Sequence, residues 1–583
     1  MKKNNHRSHG VRRGSQIAPF RGAWMGLLIV LSLSSCQEAE WNDYYKEQNS
    51  SKTLMEIIDS NPQTTQFAAA LRQNGLDKLL SSSQTFTVFA PDNQAMNGYA
   101  SATDDQNRFF YNHICRYIYT PGDVQKLDPE NQPLRIKMLN GKYQNLDITT
   151  GSLLFGNLAK VTHTETATNG ALNIINSRAP FYNNIYEEIK KKDRTDSIAN
   201  YLQAMDEYTF LPGQSTIIGT NDKGETIYDS VFQFRNKWME TYGDIHLEDS
   251  VYSIIVPSNT AWTKHYNKVK PYYRTFGEGT TTISGIQVKG TYSVGDATSD
   301  SLCDLHTRET ITHDLVFRHT QNIDNPDGDS LISTSGNIFH NPRQLFQDTE
   351  ERGVSNGRFF LTNELKHTPQ ESWHKEIKIE AEASQNYAQQ YCSSTYASSV
   401  LNYPQFAGQI SDNSFLIANP SALSFQKNTL RFQIPNTIAS KYNIYIVTVP
   451  GSAVDTTLIN HPETLRGTKL QFYLTYVHEN GTLSRDAVIT TPVDFNGTQT
   501  PTPIDSKKPA FITDAVNVNR MLVAKNFQFP YANCVTQANG VNDLETMVAA
   551  YLQVECNVTS ATDLNKYEKV MRIDCVILEP VED

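Results

Sequence analysis

The chain has 583 residues, with 51 Lys and Arg against 62 Asp and Glu and a net charge of −11. That length accommodates about three or four domains at roughly 150 residues each. The 38% hydrophobic and 19% charged residues describe a folded globular protein and exclude wholesale disorder, and an acidic balance without a basic stripe excludes nucleic acid as a partner.

The first 35 residues read as an export signal. Lys2, Lys3, Arg7, Arg12, Arg13 and Arg21 form a basic stretch free of acids, Ala23 to Leu33 is a short apolar core, and Leu33-Ser34-Ser35-Cys36 follows. Small residues before a cysteine resemble a bacterial lipobox, so Cys36 is the expected lipidation site. Each buried methylene of an acyl chain contributes ~0.8 kcal/mol, and several chains make a durable membrane anchor. Removing the six basic residues takes the net charge from −11 to −17. The acidic start Gln37-Glu38-Ala39-Glu40 resembles the surface-export segment of Bacteroides-type lipoproteins, which implies an outer-membrane, lipid-anchored protein facing outward. Residues 36–52 are polar and aperiodic, as suits a tether.

From Thr53, apolar residues recur at helical spacing: Leu54, Ile57 and Ile58, then Phe67, Leu71, Leu76, Leu79 and Leu80. Pro62 separates two short helices and Gly75 ends the second. A strand from Phe86 to Phe89 runs into Ala90-Pro91-Asp92-Asn93. There Pro91 is expected to end strand pairing, and Asp92 or Asn93 to cap the next helix. The helix "FFYNHICRYIY", strand-like "KMLNGKYQNLDI" with a turn at Asn140-Gly141, and "NGALNIINSRAPF" (169–181) complete the unit.

The unit has echoes. "TVFAPDNQAM" (87–96) is answered by "SIIVPSNTAW" (253–262), which places Pro91 on Pro257 and Asn93 on Asn259. "FYNHI" is answered by "VFRHT", which pairs His113 with His319, and "NGALNIIN" at Asn169 by "NGRFFLTN" at Asn356. Landmarks repeated in the same order predict one domain type used twice. The second copy is longer, chiefly through an insertion between its proline strand and His319. Helical opener, "TVFAPDNQAM", Asn-His and the closing Asn-Gly strand together resemble the fasciclin domain, at 53–181 and, with the insertion, 182–370. The resemblance implies adhesion through the corner and histidine segments, so Asp92, Asn93, His113, Ser258, Asn259 and His319 are the candidate ligand or adhesion residues. Read for themselves, the corner is structural first. A histidine on an apolar helix is usually a core residue bonded to backbone.

From 375 to 583 the pattern changes to strands such as "EIKIEAE", "YNIYIVTV", "LQFYLTYV" and "KVMRIDCVILEPV" separated by turns, which predicts an all-β sandwich. Its closing "RIDCVILEP" resembles the last strand of jelly-roll domains. The expected fold is therefore α+β: two fasciclin-like domains followed by a jelly-roll-like sandwich. The region is rich in tyrosine but has no tryptophan after Trp373. Six cysteines follow Cys36 without a C-x-x-C pair; outside the inner membrane disulfides are permitted, and the sequence leaves their pairing open.

The sequence holds no G-x-S-x-G elbow, P-loop, Rossmann fingerprint or H-E-x-x-H. "DNPDGDS" (324–330) lacks EF-hand spacing. No catalytic residue, metal or cofactor is assigned. Asp-Ser-aliphatic tripeptides at 196, 229, 249, 300 and 329 resemble O-glycosylation acceptors and equally read as turn or cap pairs. The expected function is a non-enzymatic surface lipoprotein for adhesion or for capture of a glycan or protein ligand. It resembles accessory members of polysaccharide-uptake systems that work beside TonB-dependent transporters. The alternative is a glycan-active hydrolase whose acid pair lies in the sandwich.

Overall fold

The structure is a computed structural model that describes residues 51–99, 106–122, 124, 133–148, 152–220, 226–274, 280–283, 286–289, 297–318, 323, 330–401, 403–479, 483–487, 510–533 and 550–581. The export signal, Cys36, most of the tether, His319, the 324–329 turn and Cys534 lie outside them. The chain divides into two compact units at Tyr182/Asn183.

In the first unit a capping box starts α1 (Leu54–Ser60): Thr53 accepts from the Glu56 N–H while the Glu56 carboxylate accepts from the Thr53 N–H. With α2 (Thr65–Gln73) and α3 (Asp77–Leu80), α1 lays Leu54, Ile57, Ile58, Phe67 and Leu71 against a sheet. That sheet is β1 (Phe86–Pro91), β2 (Ile114–Arg116), β3 (Leu134–Lys137), β4 (Tyr143–Asp147), β5 (Leu154–Phe155), β6 (Ala159–Ala167) and β7 (Gly170–Ile175). Its order is β2-β1-β7-β6-β5-β4-β3. β1 and β7 run parallel. Every residue of both is buried, because the sheet has a core on each face. Val88, Ala90 and Leu172 meet the helices, while Phe89 turns the other way and stacks on Phe155 at 3.9 Å. A strand covered on both faces reads as a continuous apolar run, which is what Val88-Phe89-Ala90 is.

Pro91 does not end strand pairing, contrary to the expectation from its chemistry. β1 continues through it, opposite Ile175 of β7. The Phe89 N–H donates toward β2, to His113 O at 2.9 Å, and the Asp92 N–H toward β7, to Ile175 O at 2.9 Å. By alternation the N–H that proline lacks would point past the end of β2, where no partner strand runs.

The second unit repeats this plan and extends it. Asn184 and Glu187 form the capping box of α4 (Ile185–Lys190), followed by α5 (Asp196–Gln203). A two-hairpin excursion comes next: β8 (Asp206–Phe210), β9 (Thr216–Thr220), β10 (Thr226–Asp229) and β11 (Phe232–Asn236). It stands between the counterparts of α2 and α3, an insertion that the sequence pattern did not reveal. Then come α6 (Lys237–Tyr242), β12 (Tyr252–Pro257), α7 (Asn259–Val269), the hairpin β13 (Thr280–Ile283) and β14 (Ile286–Lys289), and α8 (Ala297–Thr312). β15 (Val316–Arg318), β16 (Leu331–Ile332), β17 (Ile338–Phe339), α9 (Pro342–Phe346), β18 (Glu350–Arg352), β19 (Gly357–Thr362) and α10 (Pro369–Ser372) close the copy. The order β15-β12-β19-β18, with β12 and β19 parallel, reproduces β2-β1-β7-β6.

Register corrects one sequence alignment. Thr87 pairs with Cys115 and Ser253 with Phe317; Phe89 N–H meets His113 O, and Ile255 N–H meets Leu315 O. The counterpart of His113 is therefore Leu315, not His319, and the counterpart of Asn112 is Asp314.

The sandwich strands are β20 (Ile377–Glu380), β21 (Tyr387–Gln390), β22 (Cys392–Ser399), β23 (Ser414–Pro420), β24 (Thr429–Gln433) and β25 (Lys441–Thr448). β26 (Lys469–Val477), β27 (Leu483–Ala487), β28 (Phe511–Ile512), β29 (Asn519–Gln528), β30 (Tyr551–Cys556) and β31 (Met571–Pro580) complete them. One sheet runs β22-β23-β31-β25-β29 with β20 on β31; the other runs β21-β24-β30-β26-β27 with β28 on β26. Between them lie Leu416, Phe432, Ile444, Ile446, Leu552 and Ile573. Val269, Tyr273 and Cys303 of the preceding copy belong to the same cluster. The second copy and the sandwich thus share a core, which fixes the cleft between them. Cys115, Cys303, Cys392, Cys556 and Cys575 are free thiols. Among the described residues no helix is long and apolar enough to cross a membrane.

Candidate functional site

The corner residues have structural partners in both copies. Asp92 accepts from the Ala95 N–H at 2.7 Å, and Ser258 does the same for the Ala261 N–H at the start of α7, at 3.2 Å. Asn93 reaches sideways, accepting from the Gln66 N–H at 3.0 Å and donating to Pro62 O at 2.8 Å. Asn259 likewise accepts from the Ser197 N–H at 2.9 Å and donates to Asp196. Both asparagines therefore cap the second helix of their copy. His113 is fully buried. Its Nδ1 donates to Phe109 O at 2.8 Å, its Nε2 accepts from the Ala179 N–H at 3.0 Å, and burial pushes its pKa down to about 4. Both ring nitrogens serve the fold.

A cleft between the second copy and the sandwich is the better candidate. It is a cavity of about 490 Å³, within the range of small-ligand sites. Helical spacing puts His306, Glu309, Thr310 and, just past the end of α8, His313 along one wall. Thr241 and Tyr242 of α6 flank it. Thr334, Ser335 and Asn337 come from the β16–β17 turn, Ser372 and Trp373 from the end of α10, and Asn436 and Ile438 from the sandwich. Ring contacts stiffen the walls: Tyr273 stacks on His306 at 5.7 Å, and Tyr272 meets Trp373 edge-on at 4.9 Å. Burial lowers the pKa of His306 to about 4, so this ring is neutral.

Beneath the floor lies Asp314, its side chain 2% exposed. It receives Ser333 Oγ at 2.6 Å, Ser335 Oγ at 2.5 Å, Ser372 Oγ at 2.6 Å, Asn337 Nδ2 at 2.8 Å and His313 Nε2 at 2.8 Å. Burial alone would raise the carboxyl pKa, but these donors hold it well below the usual range. For His313 burial works against the charge, and the bond to and charge of Asp314 carry the net shift upward. The pair is an imidazolium on a carboxylate. Ser372 Oγ lies 3.4 Å from His313 Nε2, the same nitrogen that meets Asp314. A nucleophilic relay needs serine and carboxylate on opposite ring nitrogens, so this trio organises a floor and does not activate a serine.

A second cluster lies inside the sandwich. Glu380, Asp574 and Cys575 each offer one ligand atom, all within 4.8 Å of one another. They are the described residues best placed to hold a cation. Burial, reinforced by the charge of Glu380 and opposed by the Ser411 N–H, pushes the Asp574 carboxyl up to about 7. Asp574 is 2% exposed.

Residues 62–178 match the family model of the fasciclin domain. This stretch of the chain is a fasciclin domain. The second copy, with the same strand order and the same capping asparagines, shares that fold, and its asparagines show how closely. Asn169 accepts from the Leu54 N–H at 2.8 Å and donates to Leu80 O and Ser82 O at 2.9 and 2.7 Å. Asn356 accepts from the Ile185 N–H at 2.8 Å and donates to Ile245 O and Leu247 O, both at 3.0 Å. No curated protein matches the chain. Among solved structures it is similar to a FAS1 domain pair from the insect cell adhesion molecule fasciclin I, at 12% identity over 53% of this chain and 97% of that one, with a TM-score of 0.19. It is also similar to the C-terminal family 22 carbohydrate-binding module of Clostridium thermocellum Xyn10B, at 11% identity over 35% and 92%, TM-score 0.19. An exo-β-1,3-galactanase from Phanerochaete chrysosporium is similar at 9% over 35% and 29%, TM-score 0.16. The fold assignment rests on the family model and on strand pairing, since scores of this size carry no weight.

The fasciclin corner was legible in the sequence, but the cleft was not. Its lining comes from six separate segments between Thr241 and Ile438, and its central carboxylate, Asp314, sits in no motif. The available signal was the turn Ser335-Gly336, which occupies the place of Asn140-Gly141: Ser333 N–H bonds Asn337 O as Met138 N–H bonds Lys142 O.

Proposed function

We propose that this chain is a non-enzymatic binding protein, anchored to the outer membrane by lipid on Cys36, that captures a glycan in the cleft shared by its second fasciclin copy and its sandwich. The observation that carries this reading is the composition of the cleft. Hydroxyl and amide groups (Ser335, Ser372, Asn337, Asn436) stand beside aromatic walls (Tyr242, Tyr273, Trp373), the combination that hydrogen-bonds sugar hydroxyls while covering sugar C–H faces. The shared core holds these groups in place before any ligand arrives. A protein facing outward with such a cleft fits an accessory role beside a TonB-dependent transporter.

The test is titration of the mature chain with a panel of oligosaccharides, reading both binding and the release of new reducing ends. Saturable binding without cleavage is expected, and it should be lost in Thr241→Trp, where an indole on the exposed flank of α6 fills the cavity without disturbing the core. Cleavage of a bound oligosaccharide would favour the hydrolase instead.

A further inference from the structure

Several protons on the lining of the cleft are committed to the protein. Ser335 and Ser372 each have a single hydroxyl proton and an Asp314 oxygen at 2.5 and 2.6 Å. The Tyr242 hydroxyl donates to Glu309 Oε1 at 3.2 Å, and Thr241 to Lys237 O at 3.0 Å. The one cation on the lining, His313, directs Nε2 to Asp314 at 2.8 Å and Nδ1 to Glu309 O at 3.3 Å. The hydroxyl oxygens of Ser335, Ser372, Tyr242 and Thr241 therefore offer the cavity only lone pairs, and exposed Glu309 adds a carboxylate. Asn436 lines the sandwich side.

We infer that the cleft selects a neutral sugar that donates hydrogen bonds and rejects the carboxylated form of the same sugar, with Asp314 imposing that polarity from beneath the floor. The inference rests on the reading that the cleft holds a glycan. A ligand hydroxyl supplies the proton that Ser335, Ser372 and Glu309 lack. A uronate brings lone pairs to lone pairs and a charge to Glu309, leaving buried polar groups unpaired, which is the stronger form of discrimination. Glu309 is then a contact residue and Asp314 a positioning residue.

The experiment uses the mature chain and three matched pairs of methyl glycosides: glucose and glucuronate, galactose and galacturonate, mannose and mannuronate. Affinities are measured by calorimetry or saturation-transfer NMR. In at least one pair the neutral member should bind and its uronate should bind at least tenfold more weakly. Glu309→Gln, an exposed change, should narrow that ratio at least fivefold with an unaltered Tm. Asp314→Asn, whose NH2 group can no longer accept from the serine side chains it faces, should narrow it too; should that variant not fold, Glu309→Gln and Ser372→Ala carry the test. A lost packing contact would weaken both sugars together and leave the ratio alone. A uronate binding as well as its neutral partner, or a ratio unmoved by these variants, would overturn the inference and leave glycan capture standing. Absence of binding by all six sugars would overturn both.

Discussion

Replacement of Gly357 by alanine probes the repeat where it is least forgiving. Gly357 opens β19 at a φ of +151°, and a Cβ there would lie 1.9 Å from Tyr252 O, at the first pair of the parallel ladder. Real Cβ contacts stay above about 3 Å, so the strands must part by roughly 1 Å. Backbone strain of ~1–3 kcal/mol adds to ~1 kcal/mol for each ladder hydrogen bond lost, a total near 3 kcal/mol. Gly336 is the control: at φ +93° with nothing within 4 Å, its alanine variant carries the conformational term alone, ~1 kcal/mol. Urea unfolding followed by tryptophan fluorescence separates the two, since Trp238 and Trp262 are buried in the same copy at 2% and 8% exposure. A Gly357→Ala loss no larger than that of Gly336→Ala would refute the reasoning. Gly170, whose Cβ would lie 1.8 Å from Phe86 O, should behave like Gly357 in the first unit.

Phe89→Ala should cost the first unit about 3–5 kcal/mol by calorimetry, because Phe89 is fully buried and stacked on Phe155 at 3.9 Å; Asp92→Ala should cost only ~1 kcal/mol, the loss of a cap. Asp574 has a folded pKa raised to about 7 from 3.8, so its contribution is fully present below about pH 4 and fades as pH rises through 7. Asp574→Asn should therefore gain stability relative to wild type at pH 8 and not at pH 4 in denaturant titrations, and equal effects at both would argue against a protonated Asp574. Cys36→Ala should leave the protein soluble or unprocessed after membrane fractionation; a variant still firmly membrane-bound would dismiss the lipid anchor.

Local signals carried far into this fold. The apolar runs Val88-Phe89-Ala90 and Ile254-Ile255-Val256 announced strands, though not that both of their faces are covered, and the repeated Asn-Gly pairs announced the second copy. The misplaced histidine shows where local similarity stops. His319 resembled His113 in its neighbours, but ladder register is set by the hydrogen bonds of β12 and β15, and these put Leu315 at that position. Pro91 failed as a strand terminator because which edge a missing N–H faces depends on the neighbouring strand. Strands β8 and β11 are mostly exposed, so no apolar pattern marked this excursion. The cleft was least legible, because Tyr242, Ser335, Trp373 and Asn436 meet only after two domains share a core.

The central claim is that a sugar occupies the cleft between the second fasciclin copy and the sandwich. The most direct measurement is a diffraction structure of the mature chain soaked with whichever neutral glycoside binds in titration. The account predicts sugar density against Trp373 and Asn436, with hydroxyls at hydrogen-bond distance from Glu309 and Ser335. Ordered sugar elsewhere, on the outer faces of the sandwich or at the Asp92-Asn93 corner, with this cleft filled only by water, would contradict it.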